Sequence, residues 1–263
     1  MPKNKDDWLR IAHDFEAKCS FPHCIGALDG KHVAILPPPN TGSLYFNYKH
    51  HFSVVLMALV DASCRFTYVD IGAYGRTSDG GVFNNSSLAQ ALESNILNIP
   101  EATAIPHTND VCPYLIVADD AFALKPYLQK PYSIRNLTKE QRIFNYRLSR
   151  TRRTVENAFG QLSQRFRVFG RPIPLTPDKV QVIVMAACCL HNFLLRDKSS
   201  QTTYMPDDEH QELATAHGTF TSLTQQGSNR SSVRAQQVRD TLSKYFNSPE
   251  GSIEGQERRS MEL

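Results

Sequence analysis

The chain has 263 residues, 41% of them hydrophobic and 21% charged, which is enough apolar material to build a core and too much for a disordered chain. No run of eighteen apolar residues occurs, which excludes a membrane-spanning helix, and the polar start MPKNKDDWLR carries no apolar signal core, so nothing argues for export. Six cysteines without a C-x-x-C pair read as reduced thiols, with neither a disulfide framework nor zinc spacing.

Trp8, Ile11, Ala12 and Phe15 share one face of a predicted short helix over 8–16, closed by Pro22. Residues 25–36 alternate as a strand until Pro37, Pro38 and Pro39 forbid its continuation. Residues 52–60 are continuously apolar, as in a strand covered on both faces, and Asp61-Ala62-Ser63 turns the chain into a third strand over 65–71. So short a link requires that pair to be antiparallel. Ser78 or Asp79 caps a helix predicted to run through Val82, Leu88 and Leu92. Residues 96–113 read as loop and 114–118 (YLIVA) as a short buried strand.

Residues 138–169 read as one long helix or two in succession, with Val155, Phe159, Leu162 and Phe166 forming the buried stripe. Residues 179–196 are helical by length and apolar nearly all round, and are expected to pack under the sheet. From 198 the composition turns to Ser, Thr, Gln, Asn and Asp, the signature of a mobile segment, before a last amphipathic helix over 232–246 and a frayed tail. Strands, helix, strand and then helices give an α/β fold, a mixed sheet flanked by helices around one core. The expected division is a helical lead-in over 1–20, the main domain over 21–197, a mobile polar segment over 198–231, and the C-terminal helix and tail over 232–263.

The net charge of +3 hides an asymmetry: residues 124–171 hold twelve Lys or Arg against Glu140 and Glu156, so this stretch carries +10 and the remainder −7. Such a stretch is either a solvated helix face or a surface for nucleic acid, and a neighbouring site must decide between them.

Three acids stand where chemistry would need them. Alternation puts Asp29 on one strand face with Ile25, Ala27, Lys31 and Val33, where an unpaired carboxylate is costly and a divalent cation would remove the cost. Gly26 and Gly30 would let a phosphate backbone come close. Asp29-Gly30 is equally a hairpin-turn signal, and both readings stay open. Asp119 and Asp120 follow directly on the buried strand, the end of an α/β strand at which ligands bind, and only one of the two can share a face with Asp29. Glu156 is the only acid between 141 and 178; it lies beside the apolar stripe, with Arg152 and Arg153 one turn before it and Gly160 one turn after. It reads as a metal ligand or as one half of a surface ion pair.

Oxygen ligands on separate elements suit Mg²⁺ or Mn²⁺ over zinc. Two such ions about 3.5–4 Å apart activate a water and stabilise the leaving oxygen in phosphodiester hydrolysis. Arg147, Arg150, Arg152 and Arg153 would then approach DNA phosphates. His32, facing away from Asp29, reads as structural; His191 and Asn192 are expected to bond to a neighbouring loop, and Cys112, Cys188 and Cys189 to be core thiols.

The same residues lie in blocks that resemble the PIF/Harbinger transposase-derived nucleases of the DDE transposase superfamily: FPHCIGALDGKHVAI (21–35), GAYGRTSDGGVF (72–83), YLIVADDAFALKPYLQKPY (114–132), VENAFGQLSQRFRVF (155–169), CLHNFL (189–194) and, more weakly, VRDTLSKYF (238–246). The resemblance implies a ribonuclease H-like fold and a metal-dependent endonuclease with Asp29, Asp119 and Glu156 as catalytic and metal-binding residues. The family's Asp-x-Ala-Phe pattern selects Asp119 over Asp120, and Ser78-Asp79 also fits a family block, which makes Asp79 an accessory candidate. The implied cofactor is Mg²⁺ or Mn²⁺, the implied substrate DNA, and the implied location the nucleus. The family's upstream helical region, linked to DNA contact, has no counterpart in this sequence, so a separate DNA-binding partner protein is expected. The alternative is a domesticated transposase kept as a catalytically silent DNA- or protein-binding module, and a third reading is a ribonuclease on RNA–DNA hybrids.

Overall fold

The computed structural model describes residues 1–133, 135–196, 220–222 and 231–261. Helix α1 (Lys5–Cys19) starts at Asn4, whose side chain accepts from Asp7 N, and buries Trp8, Ile11, Ala12 and Phe15 as the spacing predicts. The indole N–H of Trp8 ties the helix to the main body by donating to Leu97 O at 2.7 Å.

Three strands follow: β1 (Cys24–Ala34), β2 (Ser53–Val60) and β3 (Phe66–Tyr74). They pair antiparallel in sequence order, and every residue of β2 is buried, as its unbroken apolar run requires. Asp29 pairs with Ala58 and Gly30 with Met57 in mid-strand, so Asp29-Gly30 is no hairpin turn. The predicted helix from residue 78 is two: α2 (Asp79–Asn84) and α3 (Ser87–Glu93). Ser86 divides them, because its side chain accepts from Ala89 N and starts a new helix at that point.

Within 96–113, read from sequence as loop, β4 (Thr103–Ala104) and β5 (Val111–Cys112) form a small hairpin. Strand β6 (Leu115–Val117) pairs parallel with β1 on its other side from β2, and β7 (Leu128–Gln129) pairs parallel with β6. The long helix is single: α4 (Lys139–Arg165), opened by a capping box between Thr138 and Gln141 and followed by one 3-10 turn over Arg167–Gly170. Helix α5 (Pro177–Leu194) packs along β3.

Strand β8 (Phe220–Ser222) pairs antiparallel with Lys31–Val33 of β1. The expected mobile segment over 198–231 otherwise lies outside the described residues, apart from 231. Helix α6 (Val233–Phe246) forms where predicted, and Ser232 caps it by accepting from Ala235 N. The tail expected to fray instead packs as far as Ser260: α7 (Gln256–Ser260) buries Gln256 and Ser260, and Gln256 accepts from Arg147 at 2.9 Å.

The main sheet thus runs β3-β2-β1-β6-β7, mixed in direction and flanked by helices, the arrangement of a ribonuclease H-like fold. Its core runs from Trp8 and Phe15 through β1, β2 and β6 to Val155 and Phe159 of α4. Among the described residues no helix is long and apolar enough to cross a membrane. Two other expectations hold: His191 bonds to Cys64 O at 2.7 Å, and Asn192 both donates to and accepts from the backbone of Phe66. His32 is structural as expected, buried with its Nδ1 against Ser53 Oγ at 2.9 Å. Cys112 and Cys188 are buried thiols, whereas Cys189 is exposed, contrary to expectation, because only one side of α5 meets the sheet.

Candidate metal centre

The parallel register of β1 and β6 builds the site. Ala27 lies beside Val117, and two residues further along each chain come Asp29 and Asp119. A step of two preserves the face of the sheet, so both carboxylates emerge on the same side on neighbouring chains, about 4.8 Å apart by strand spacing. Asp29 Oδ1 accepts from Gly30 N, and Asp119 Oδ1 from Ala121 N, both at 2.9 Å, which fixes one oxygen of each. Asp120 turns outward and pairs with Lys130 at 3.3 Å, as the alternation argument requires of one member of the doublet.

The third oxygen comes from Asp79. Ser78 caps α2, leaving Asp79 in the first turn and buried with 1% exposure. The start of α2 sits so close to the segment after Asp119 that a Cβ added at Gly80 would meet Ala121 O at 3.1 Å. Asp29, Asp79 and Asp119 each offer an oxygen within 4.8 Å of the others. Asp79 Oδ1 is buried with no hydrogen-bond partner.

Crowding of like charges out of water has the expected electrostatic effect. Burial first, then repulsion from Asp29 and Asp119, pushes the Asp79 carboxyl up to about 9. Burial and Asp29 also raise Asp119, against the opposing pull of Arg152 and Lys31 and the hydrogen bond from Ala121. A buried group of hard oxygens with one orphaned atom and excess negative charge is the donor set that Mg²⁺ or Mn²⁺ takes, and a soft or nitrogen-seeking metal finds no ligand there.

Lys31 lies on the same face of β1 as Asp29, two residues on, and its Nζ meets Asp29 Oδ2 at 2.9 Å. It also lies 5.7 Å from the Phe159 ring centroid. Burial works against its charge, but Asp29 and then Glu156 hold the ammonium above its ordinary value. Lys31 shares the face of β1 that strand alternation gives Asp29, and that alternation is the one signal in the sequence that points to it.

Glu156 does not join the three aspartates. Its side chain is 46% exposed and pairs with Arg152 at 3.2 Å one helical turn earlier. It stands at the rim, near enough to Lys31 to affect it. An exposed pair of this spacing is worth about 0.3–0.5 kcal/mol, so it holds the carboxylate loosely.

The four arginines divide by helix face. Arg153 is exposed, Arg152 is largely covered beside Glu156, and Arg150 reaches Lys18 O at 3.4 Å. The expectation that Arg147 approaches phosphates is corrected: it is 1% exposed and donates to Ser20 O, Gly251 O and Gln256 Oε1. Its guanidinium also stacks 4.3 Å from the Phe246 centroid. Arg147 points from α4 toward α6 and α7, away from the carboxylates, and joins the chain's two ends.

A strand-borne Asp, a post-strand Asp and a long basic helix beside them are the frame of a DDE-type nuclease domain, and the chain belongs to the family described as DDE superfamily endonuclease, which matches residues 28–192. The resemblance to Harbinger transposase-derived proteins is borne out by its relatives. It is 29% identical to "Protein ALP1-like" of Arabidopsis thaliana over 196 residues, covering 73% of this chain and 48% of that protein. It is 24% identical to "Putative nuclease HARBI1" of Xenopus laevis, covering 80% of this chain and 58% of that protein. To the human protein of the same name it is 26% identical, over 74% of this chain and 52% of the other. The chain spans about half the length of the curated relatives it matches. No solved structure matches it.

Proposed function

We propose that this protein is a metal-dependent endonuclease that hydrolyses DNA phosphodiester bonds. The observation that carries the reading is the cluster of buried Asp29 and Asp79 with half-buried Asp119, with ligand oxygens within 4.8 Å of one another and the negative charge only partly offset by Lys31. A group built for binding without turnover has no need of three carboxylates converging out of bulk water. Asp29 and Asp119 would hold the ion, with Asp79 as the third ligand and Glu156 swinging from Arg152 as a rim ligand. When bound, one or two divalent ions would supply activation of a water and stabilisation of the leaving oxygen, giving a 3′-hydroxyl product.

The chain's own residues do the rest. Gly30 N and Ala121 N hold one oxygen each of Asp29 and Asp119, so those carboxylates are oriented before substrate arrives. Lys31 places a positive charge at the edge of the cluster, where a phosphate oxygen would come in. Arg153, Arg152 and Arg150 lie along the same helix as Glu156, and their charge draws the polyanion to that side. In this reading the enzyme works in the nucleus, and a separate DNA-binding protein supplies target choice.

The test is nicking of duplex DNA in Mg²⁺ or Mn²⁺ by the parent and by Asp119→Ala. Cleavage that needs the metal and disappears in the variant supports the reading; cleavage without metal, or unchanged in the variant, overturns it. Mn²⁺ titration calorimetry alongside identifies a silent binding module, which would bind no metal at millimolar concentration, and a parallel RNA–DNA hybrid substrate separates the ribonuclease reading.

A further inference from the structure

The loop between β1 and β2 ends in a built hairpin. Phe46 and Phe52 bridge antiparallel, Ser53 N donates to Tyr45 O at 2.8 Å and Asn47 N to His51 O at 2.9 Å, which puts Tyr48, Lys49 and His50 at the tip. Asn47, 2% exposed, holds the tip from inside: its Oδ1 accepts from Lys49 N at 2.9 Å and from His51 N at 3.3 Å, and its Nδ2 donates to Ser53 Oγ at 2.9 Å. Ser53 Oγ in turn meets His32 Nδ1 at 2.9 Å, so polar contacts run from the middle of the sheet to the tip. All three tip residues are exposed, Tyr48 by 44%, and the Lys49 ammonium stands 5.6 Å from the Tyr48 ring centroid.

This tip stands beside the carboxylates. Lys31 and His32 are successive residues of β1 and point to opposite faces. Lys31 Nζ lies 5.7 Å from the Phe159 centroid of α4, while the His32 ring lies 6.0 Å from that of Tyr48. Helix α4 and the tip therefore flank the stretch of β1 just beyond Asp29, one on each face. The tip shares the field of the site: burial and then Asp79 hold the Tyr48 hydroxyl above its ordinary value against the pull of Lys31, and burial and then Lys31 lower Lys49.

We infer that Tyr48 and Lys49 form a second wall of the substrate site, where Tyr48 stacks on an unpaired nucleobase beside the phosphate that the carboxylates address and Lys49 takes a neighbouring phosphate. The place of that phosphate rests on the nuclease reading. An aromatic ring offers a face on which any base stacks, and a ring interleaved with cations is what single-stranded nucleic acid requires of its binding surface. In an intact duplex each base is already covered by its neighbours, so the ring gains a stack only from a base that has left the helix. The arginines of α4 bring charge to the other wall and no surface for a base. Asn47 fixes the tip before substrate arrives, which spares the ordering of a loop on binding. The substrate so defined is DNA with a nucleotide unpaired next to the cleaved bond.

The experiment is binding of the full chain, in Ca²⁺, to a short DNA duplex carrying one unpaired 2-aminopurine, followed by anisotropy for affinity and by 2-aminopurine emission for stacking, with the fully paired duplex alongside. The parent should bind the unpaired form more tightly and quench its emission. Tyr48→Ala should weaken that binding by about tenfold and abolish the quenching, while Tyr48→Phe, which keeps the ring, should retain both. Lys49→Gln should keep the quenching and reduce the slope of log affinity against log salt by roughly 0.7–0.9. All three variants should keep the parent's Mn²⁺ affinity and urea midpoint, because the side chains they change are exposed and lie outside the carboxylate cluster. Emission that stays bright on binding, or quenching unchanged in Tyr48→Ala, overturns the inference even where the parent nicks DNA. Quenching that depends on Tyr48 in a protein that never nicks upholds the base contact and removes only the hydrolysis. A parent that binds neither duplex overturns both.

Discussion

Binding of Mn²⁺ should release a proton from Asp79, and the pH dependence of affinity should report it. The carboxyl is pushed up to about 9 by burial and by Asp29 and Asp119, so at pH 7 it holds its proton in the metal-free protein. A divalent ion that uses this oxygen must displace the proton, and affinity should rise about tenfold per pH unit from pH 7 to about 9 and then level off. Two such units amount to about 3 kcal/mol of binding energy. Titration calorimetry at pH 7 in buffers of different ionisation enthalpy counts the protons directly, with about one per ion expected from Asp79. Asp79→Asn, which keeps the shape and cannot titrate, should weaken binding and flatten the slope.

The same shift governs metal-free stability. In the unfolded chain Asp79 ionises near its ordinary value of 3.8, while in the folded protein it keeps its proton until about 9. The folded state therefore binds more protons than the unfolded state across that window, so its contribution is full below about pH 4 and is lost as pH rises toward 9. In EDTA at pH 8, Asp79→Asn should melt above the parent, with the gap closing toward pH 4. The expected gain is on the order of a few kcal/mol, or roughly 2–4 °C for each kcal/mol in a chain of this size. Affinity that is flat from pH 6 to 9, no proton release, and a variant that melts no higher than the parent would together remove Asp79 from the centre.

Lys31→Met should tighten Mn²⁺ binding by up to about tenfold, since it removes a cation in contact with Asp29, while lowering the rate of DNA nicking; weaker metal binding in calorimetry would mean that Lys31 props the site open. Arg153→Gln should weaken DNA binding for all sequences alike and reduce the slope of log affinity against log salt by roughly 0.9 if one phosphate contact is lost, read by fluorescence anisotropy; an unchanged slope would place the DNA elsewhere. Arg147→Ala should cost roughly 3–5 kcal/mol in urea denaturation, because it leaves the acceptors of Ser20, Gly251 and Gln256 without their charged donor, and it should leave the salt slope of DNA binding unchanged.

Local pattern was sufficient wherever a residue's neighbours along the chain set its environment. Alternation through 25–36 put Asp29 and Lys31 on one face, the unbroken apolar run of β2 announced a strand covered on both sides, and the Asp119-Asp120 doublet could supply only one inward carboxylate. The stripe of Val155, Phe159 and Leu162 likewise marked the buried face of α4 in advance. What remained was decided by packing between distant segments. Asp79 reads in sequence as a helix cap, and becomes the third carboxylate only because α2 lands on the end of β6. Arg147 differs from Arg153 only in which side of α4 it occupies, and the docking of α6 and α7 turns one into a buried brace while the other stays exposed. Residues 179–196, apolar on nearly every side, carry no periodicity to say which face is buried; the edge of the sheet chose one and left Val182, Met185, Leu190 and Phe193 facing outward. Sequence fixes a side chain's direction relative to its own backbone, but burial and charge environment depend on what arrives from elsewhere in the chain, and only the assembled tertiary structure supplies that.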